Sequence, residues 1–479
     1  MQVGVDVGRA TPASVLGRRL PLDGRRHEYV YVACDLFTDV PIAELPLRNV
    51  QFSWSIKKPG TFSADLPVPV FSRVRDYMTA TTPGRSVVYV FRDGVPIWGG
   101  ILWKRTLSSG ERVVKIEGDT FDSYMYHRIL DQDLMFIRDM TKNPPIEGTD
   151  QIDMFRVLWD HMSGNRSEYL GGMLGTAQLP PRPNSDIHVL LSPTPRNTVK
   201  RGRSFMKWDF RTYGEHLETL AGLKDGFEWY ATVAQAPEGS TSISGVDRRI
   251  EFAWPRFGRP FLETGFIWEF PANMLSYSWT ADADKSATAA YVLGAGEGDL
   301  RAYAVLYNQQ RLNEGWPLID VAYTHSTVSS KATMESHAAK YLRAFDPPVG
   351  EFDLTVHPDL PPTFGPPGTE QYFMGDEIGI KIEDDIFAGS DVRPEDLYVV
   401  IGGITVTPND DGIEDVKPEI TINSRNPYIG PDEEDQSVEE TTPTPEVDTG
   451  SDSEGLRYLR TSDGTHRAVG TGGWGGSRP

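Results

Sequence analysis

Between Asn49 and Gly118 apolar and polar positions alternate with a period of two. In NVQFSWSI, Val50, Phe52, Trp54 and Ile56 share one side and Asn49, Gln51, Ser53 and Ser55 the other, the pattern of a strand with one buried face. KKPG then turns the chain, with Pro59 fixing φ and Gly60 able to take φ > 0. TFSADLPV follows with Phe62, Ala64, Leu66 and Val68 on one face, which predicts a hairpin. A second hairpin runs from VVYVFRD to IWGGILWKRTL and turns at Asp93-Gly94, because both residues tolerate φ > 0. ERVVKIEG returns once more after Ser108-Ser109-Gly110. Gly99 and Gly100 adjoin in mid-strand, where glycine weakens a strand unless it marks a bulge or a tight corner. With HEYVYVACDL as the first strand (Val30, Val32, Cys34 and Leu36 on one side), residues 28–125 read as a closed or strongly curled antiparallel sheet.

The texture changes over 126–275. QIDMFRVLWDHM places Ile152, Phe155, Leu158, Trp159 and Met162 on one helix face, with Thr149 or Asp150 as N-cap. Residues 164–207 are rich in Gly, Pro and Ser and read as an excursion. Thr212 and Glu215 match a capping box, with Gly226 as the expected C-cap. FEWYATV, RRIEFAW and FIWEF then read as strands, making this region an α+β insertion. From 276 to 425 the period of two returns in EFDLTVH, DEIGIKI, LYVVIGGITVTP and PEITINS. One helix interrupts it from Ser330 to Phe345, stopped by Pro347-Pro348. The strands VPIWGGILWK and YVVIGGITVT both carry Gly-Gly-Ile in the middle, Gly99-Gly100 in one and Gly402-Gly403 in the other. That echo predicts two related antiparallel β-barrels. The expected class is therefore mainly β with an α+β insertion, preceded by an arm over 1–27 and followed by an acidic linker and tail over 426–479.

Composition narrows the function. A chain of 479 residues is too long for one core, and 46 Gly with 36 Pro favour turns and short strands. The single cysteine, Cys34, excludes an intrachain disulfide and a cysteine-based zinc site, and its place on the apolar side of a strand marks a buried, inert thiol. The first 26 residues lack the apolar core of a secretory signal, and no apolar run approaches the ~20 residues of a membrane helix. Net charge is −21, which disfavours binding of nucleic acid. Ten carboxylates and no Lys or Arg fall between Pro431 and Leu456, so about half of the excess sits in the tail. The arm over 1–27 carries five arginines and is expected to order only against a neighbour.

FSWSIKKPGTFSADLPV (52–68), YVFRDGVPIWGGIL (89–102), VVKIEGDTFDSYMYHRIL, FMGDEIGIKI (373–382, with Gly375-Asp376 leading into the strand) and VVIGGITVTP (399–408) together resemble the tail-hub, or tail-associated, minor tail proteins of long-tailed bacteriophages. The likeness is one of pattern and covers about residues 28–425. It implies two barrel "tube" domains per chain and a homotrimer whose six barrels continue the sixfold tail tube. It also implies a place at the virion tail tip after assembly in the host cytoplasm. The implied partners are the distal tail protein ring, the tape-measure protein and other tail-tip or receptor-binding proteins, with DNA in transit through the lumen. The structural positions it marks here are Gly60, Asp93, Gly94, Gly99, Gly100, Gly375, Asp376, Gly402 and Gly403.

Sequence motifs for catalysis are missing. GAGEG (294–298) precedes DLRAYAVLY, which reads as a strand rather than a phosphate-binding helix. The nine histidines show no metal-ligand spacing, and His325 and His337 fall in different predicted elements. PNDDG (408–412) reads as an Asx/Gly turn rather than a calcium loop. Trp54, Trp98 and Trp103 are expected in the core or a subunit interface. The expectation is a structural protein with no cofactor and no enzymatic activity. The alternatives are a β-domain protein that binds or cleaves host-wall glycans, and the base of an injection spike of a non-viral particle.

Overall fold

The computed structural model describes residues 26–422, apart from short segments of which 165–181 and 386–397 are the longest, and beyond them 458–460 and 466–468. The arm over 1–25, Pro347-Pro348 and the acidic stretch from Pro431 to Leu456 lie outside the described residues. The early strands are β1 (Tyr29–Asp35), β2 (Pro41–Glu44), β3 (Arg48–Ser55), β4 (Thr61–Pro67), β5 (Ser86–Arg92), β6 (Val95–Leu107) and β7 (Val113–Thr120). The middle holds α1 (Gln151–Met162), α2 (Tyr213–Ala221), β8 (Glu228–Gln235), β9 (Val246–Ala253) and β10 (Ile267–Phe270). The late elements are β11 (Met274–Asp282), β12 (Ala289–Leu293), β13 (Tyr303–Tyr307), β14 (Asp320–Thr324), α3 (Lys331–Ala344), β15 (Val349–Val356), β16 (Glu377–Ile382), β17 (Tyr398–Pro408) and β18 (Glu414–Ile422).

The early and late strands do not stay apart. They form one mixed sheet of eleven strands in the order β10-β16-β17-β3-β4-β7-β6-β5-β1-β2, with β18 paired to β17. The β3–β4 and β5–β6 hairpins and the β7 return are antiparallel as the alternation predicts, and β10 joins β16 in parallel. Among the described residues no pairing links β2 back to β10, so the sheet is open.

Strands β1, β5 and β6 read as near-continuous apolar runs because both of their faces are covered. Tyr31, Ala33, Val88, Val90, Trp98 and Leu102 enter one core with Phe52, Trp54 and Phe62 of the β3–β4 hairpin and with the late residues Leu354, Ile378, Ile401, Ile404 and Val406. On the opposite face Cys34, Leu36, Val87, Tyr89 and Ile101 pack against Phe155, Leu158 and Trp159 of α1, Leu217 and Leu220 of α2, and Trp229 of β8. Burying one such side chain contributes about 1.5–3 kcal/mol, and here both cores draw on the same sheet. A third, smaller core lies between α3 and the sheet β13-β12-β14, with Ala290, Val292, Met334, Ala338 and Tyr341 at its centre.

The helices show which local rules acted. Asp150, not Thr149, caps α1, accepting from the Ile152 N–H at 2.8 Å. The capping box of Thr212 and Glu215 forms in full. Helix α2 ends at Gly222, which is right-handed (φ −75°), rather than at Gly226. Gly226 is needed for another reason: a Cβ there would overlap the Ala221 carbonyl.

Candidate site at the seam between early and late strands

Five of the nine positions marked in the sequence meet where β17 changes partner. Its first residues, Tyr398–Val400, pair with β16, and Gly403–Val406 pair with β3. Gly402 lies at the handover and is skipped in the register with β18, so a bulge sits at the first glycine of the pair. Its carbonyl accepts from the Ile56 N–H at 2.9 Å. Gly403 passes so close to β3 that a Cβ would stand 2.9 Å from the Trp54 carbonyl oxygen and 2.8 Å from the Glu419 carboxylate. Gly60 faces the same stretch of β3, where a Cβ would overlap the Ser53 carbonyl. That carbonyl accepts the Trp98 indole N–H at 2.8 Å. Gly60 therefore serves close approach; the left-handed residue of its turn is Lys57, at φ 63°.

Gly375 and Asp376 anchor the other side of the handover. Gly375, at φ 85°, donates its N–H to the Ile401 carbonyl at 2.7 Å, and a Cβ on it would overlap Phe257. The Asp376 carboxylate, 2 % exposed, accepts from the Arg259 backbone N–H (2.8 Å), the Arg259 guanidinium (2.6 Å to Nη2) and the Phe373 N–H (3.1 Å). The hydrogen bond to Asp376 raises the Arg259 pKa above its ordinary value. Such a charge-assisted, forked pair fixes direction as well as distance.

Asp93 and Gly94 form the β5–β6 turn with φ 52° and 77°, the geometry their identities predict. The Asp93 carboxylate accepts from the Glu28 N–H (2.9 Å) and faces His27 Nδ1 (2.6 Å), which holds its pKa below the usual range, the backbone bond contributing most. Beside it Arg92 binds Glu414 of β18, with Nη2 donating to Oε2 at 2.8 Å and Nε 2.6 Å from Oε1, and Tyr29 donates to the same carboxylate. These groups tie the hairpin tip to the turn before β18. There the Asn409 side chain accepts from the Asp411 and Ile413 N–H groups, an Asx turn as expected for PNDDG.

Gly99 and Gly100 stand apart from the seam: Gly99 faces the second core, while Gly100 lies against the Asp119 carbonyl of β7 and Trp98 of the first core. Register shifts flank them on both neighbouring strands, but the glycines themselves pair regularly, with Tyr89 and Val88. They are spared for space: a Cβ on Gly99 would lie 2.7 Å from both Tyr89 and Val233. Nearby, Asp122 is wholly buried, and desolvation pushes its carboxyl up to about 6 against the hydrogen bond from Thr120 Oγ1 (2.5 Å). Thr120 Oγ1 in turn accepts from the Gly60 N–H at 2.8 Å, so a chain of hydrogen bonds runs from this carboxyl to the seam.

Arg92, Glu414, His27 and Ser53 were not singled out in the sequence, and no local signal could pair Arg92 with Glu414 across 322 positions. Cys34 is fully buried, which pushes its thiol up to about 12. Trp54 and Trp98 are core residues; Trp103 is half-buried, its indole donating to Ser123 Oγ at 2.9 Å. Of GAGEG, Gly294 follows β12 and donates its N–H to the Ala302 carbonyl at 2.7 Å, and Glu297 lies outside the described residues. The elements holding His325 and His337 bring them together: their rings stack at 4.2 Å, with His325 Nε2 3.0 Å from the Tyr341 hydroxyl. Among the described residues no three His, Cys, Asp or Glu side chains gather as metal ligands, and no helix is long and apolar enough to cross a membrane.

No family model and no curated protein matches the chain. Among solved structures it is similar to the prophage MuSo2 43 kDa tail protein from Shewanella oneidensis, at 10% identity over 82% of this chain and 98% of that one, TM-score 0.47. It is also similar to the tail protein from Neisseria meningitidis MC58 (12% identity, 81% and 96% covered, TM-score 0.43). A third similar structure is prophage tail protein gp18 from Listeria monocytogenes EGD-e (10% identity, 83% and 95% covered, TM-score 0.44).

Proposed function

We propose that this chain is a structural protein of a phage tail, acting as a homotrimeric hub at the tail tip. The observation that carries the reading is the handover at Gly402-Gly403, which welds strands from the two ends of the chain into one sheet. A sheet that is open at β2 and β10 among the described residues is a wall element, and its edges can be satisfied when copies close into a ring. Three copies, each contributing one wall in which early and late strands are joined in a single sheet, line the tube. The ring continues and closes the tail tube, anchors tail-tip proteins beneath it, and opens for DNA ejection.

The acidic balance fits such a role. DNA carries one negative charge per ~1.7 Å of axis, and a wall that must release it cannot be basic. With a Debye length of ~8 Å at physiological salt, wall carboxylates act only on strands that pass close by, and so prevent sticking rather than repel at a distance. The role is structural rather than enzymatic. Light scattering on the purified chain tests it: a trimer is expected, and a stable monomer at micromolar concentration would overturn the hub.

A further inference from the structure

We infer that Trp208 and Phe210 form an aromatic knob that seats in an apolar recess of the next copy, a head-to-tail contact whose choice of a second copy as partner rests on the hub reading. The knob is a short loop held at both ends. The Lys207 N–H donates to the Asp133 carboxylate (2.8 Å), the Leu130 N–H to the Arg211 carbonyl (3.2 Å) and the Tyr213 N–H to the Arg128 carbonyl (2.9 Å). At its crest Trp208 is 60 % and Phe210 77 % exposed, and Ile129, bridged to Thr212, is half exposed. Phe210 also stands in the left-handed region at φ 51°, where a bulky side chain is strained. Water offsets neither the strain nor the bare rings, whereas rigid aromatic anchors are what the centre of an interface buries.

The recess lies beside the β1–β2 turn, bounded by Phe37–Asp39, the end of α1, the 186–190 segment and the β8–β9 loop, with a volume of about 860 Å³. Its carboxylates have partners of their own: Asp39 pairs with Arg248 (2.8 Å), Asp247 with Arg249 (3.2 Å), and Asp186 lies 3.4 Å from His188. What it offers an occupant is therefore apolar, Phe37 and Trp159 in its lining together with Leu190 and Ile243, which are both more than half exposed. Neither Trp208 nor Phe210 lines the recess of its own chain, and the loop that carries them is tied down, so the knob meets this surface only on another copy. Two different patches on one chain make a heterologous contact, the kind that closes into a ring. At 150–250 Å² for a buried aromatic side chain, the two exposed rings bring roughly 300 Å², and with the recess about 600 Å² is covered, half of the ~1,200 Å² that a stable pair needs. The seat is thus one part of a larger interface and fixes the direction in which copies follow one another.

Cysteine pairing in the full-length protein tests the seat, with Cys34 fully buried and silent. Asp209→Cys and Glu238→Cys place exposed thiols beside the knob and at the recess while leaving the apolar groups intact. Each variant is expressed alone and the two are co-expressed, then oxidised mildly and resolved on non-reducing gels, with light scattering on every sample. The co-expressed pair should give a cross-linked dimer at least tenfold stronger than either variant alone, and adding Trp208→Ala/Phe210→Ala to the Asp209→Cys chain should abolish it. Trimers without that band, an equal band in either variant alone, or a band indifferent to loss of the rings would overturn the seat and leave the hub standing. Particles the size of a single chain would overturn the hub reading, and the seat with it.

Discussion

The Asp122 carboxyl gives the sharpest quantitative handle on the seam, because its hydrogen-bonded neighbour Thr120 also receives the Gly60 N–H. In the unfolded chain it titrates at 3.8 and in the fold at about 6, since burial penalises the charged form. The native state therefore holds this proton more tightly than the unfolded state. The sign follows from linkage: the stabilisation is complete below pH ~4, declines between pH ~4 and ~6, and is absent above, a change of about 3 kcal/mol. Asp122→Asn keeps an acceptor for Thr120 and removes the titration. Urea denaturation of wild type and variant, followed by tryptophan fluorescence from pH 4 to 8, isolates this group, because every other titration is shared. The two stabilities should diverge as pH rises to 6 and then run parallel, the variant gaining up to about 3 kcal/mol on the wild type. Curves that stay parallel from pH 4 to 8 would show that Asp122 is not a buried carboxyl of raised pKa, and the hydrogen-bond chain to Gly60 would lose its support.

Other perturbations separate close approach from turn geometry and from ion pairing. Gly60→Ala and Gly403→Ala should each destabilise by roughly 2 kcal/mol or more, because the added methyl meets backbone of β3, whereas Gly94→Ala, with open space around it, should cost only about 1 kcal/mol for its positive φ; urea midpoints rank them. Glu414→Gln leaves the half-buried Arg92 guanidinium with a neutral partner and should cost about 3 kcal/mol in the same assay. Thr212→Ala removes the capping box of α2 and should cost about 1 kcal/mol.

Local rules were readable in the sequence; the long-range union was not. Period-two alternation located β3, β4, β15 and β16 because one face of each is plainly apolar, and Asp93-Gly94 named its own turn because few residue pairs accept two positive φ values. Alternation was less informative for β1 and β5, since helices and β8 cover one face of the sheet while the β3–β4 hairpin and the late strands cover the other. The Gly-Gly-Ile echo pointed to two separate barrels, yet the glycine pairs do different things. Gly402-Gly403 allows a strand to change partner, whereas Gly99 makes room for Tyr89 and Val233 and Gly100 for the Asp119 backbone and Trp98. Nothing in a local window distinguishes these, because the atoms that forbid a side chain at Gly403 and Gly60 belong to β3, far away or reversed in the chain. Likewise Gly226 sits near the end of a helix, which invites a C-cap reading, while its actual constraint is the carbonyl of Ala221.

The tail-hub account stands most directly on what three assembled copies look like from above. Class averages from electron microscopy of the purified oligomer, viewed down its threefold axis, should show three equivalent walls around an open channel, each chain supplying one wall in which early and late strands are joined. A trimer with three dissimilar arms and no channel, or particles the size of a single chain, would contradict it.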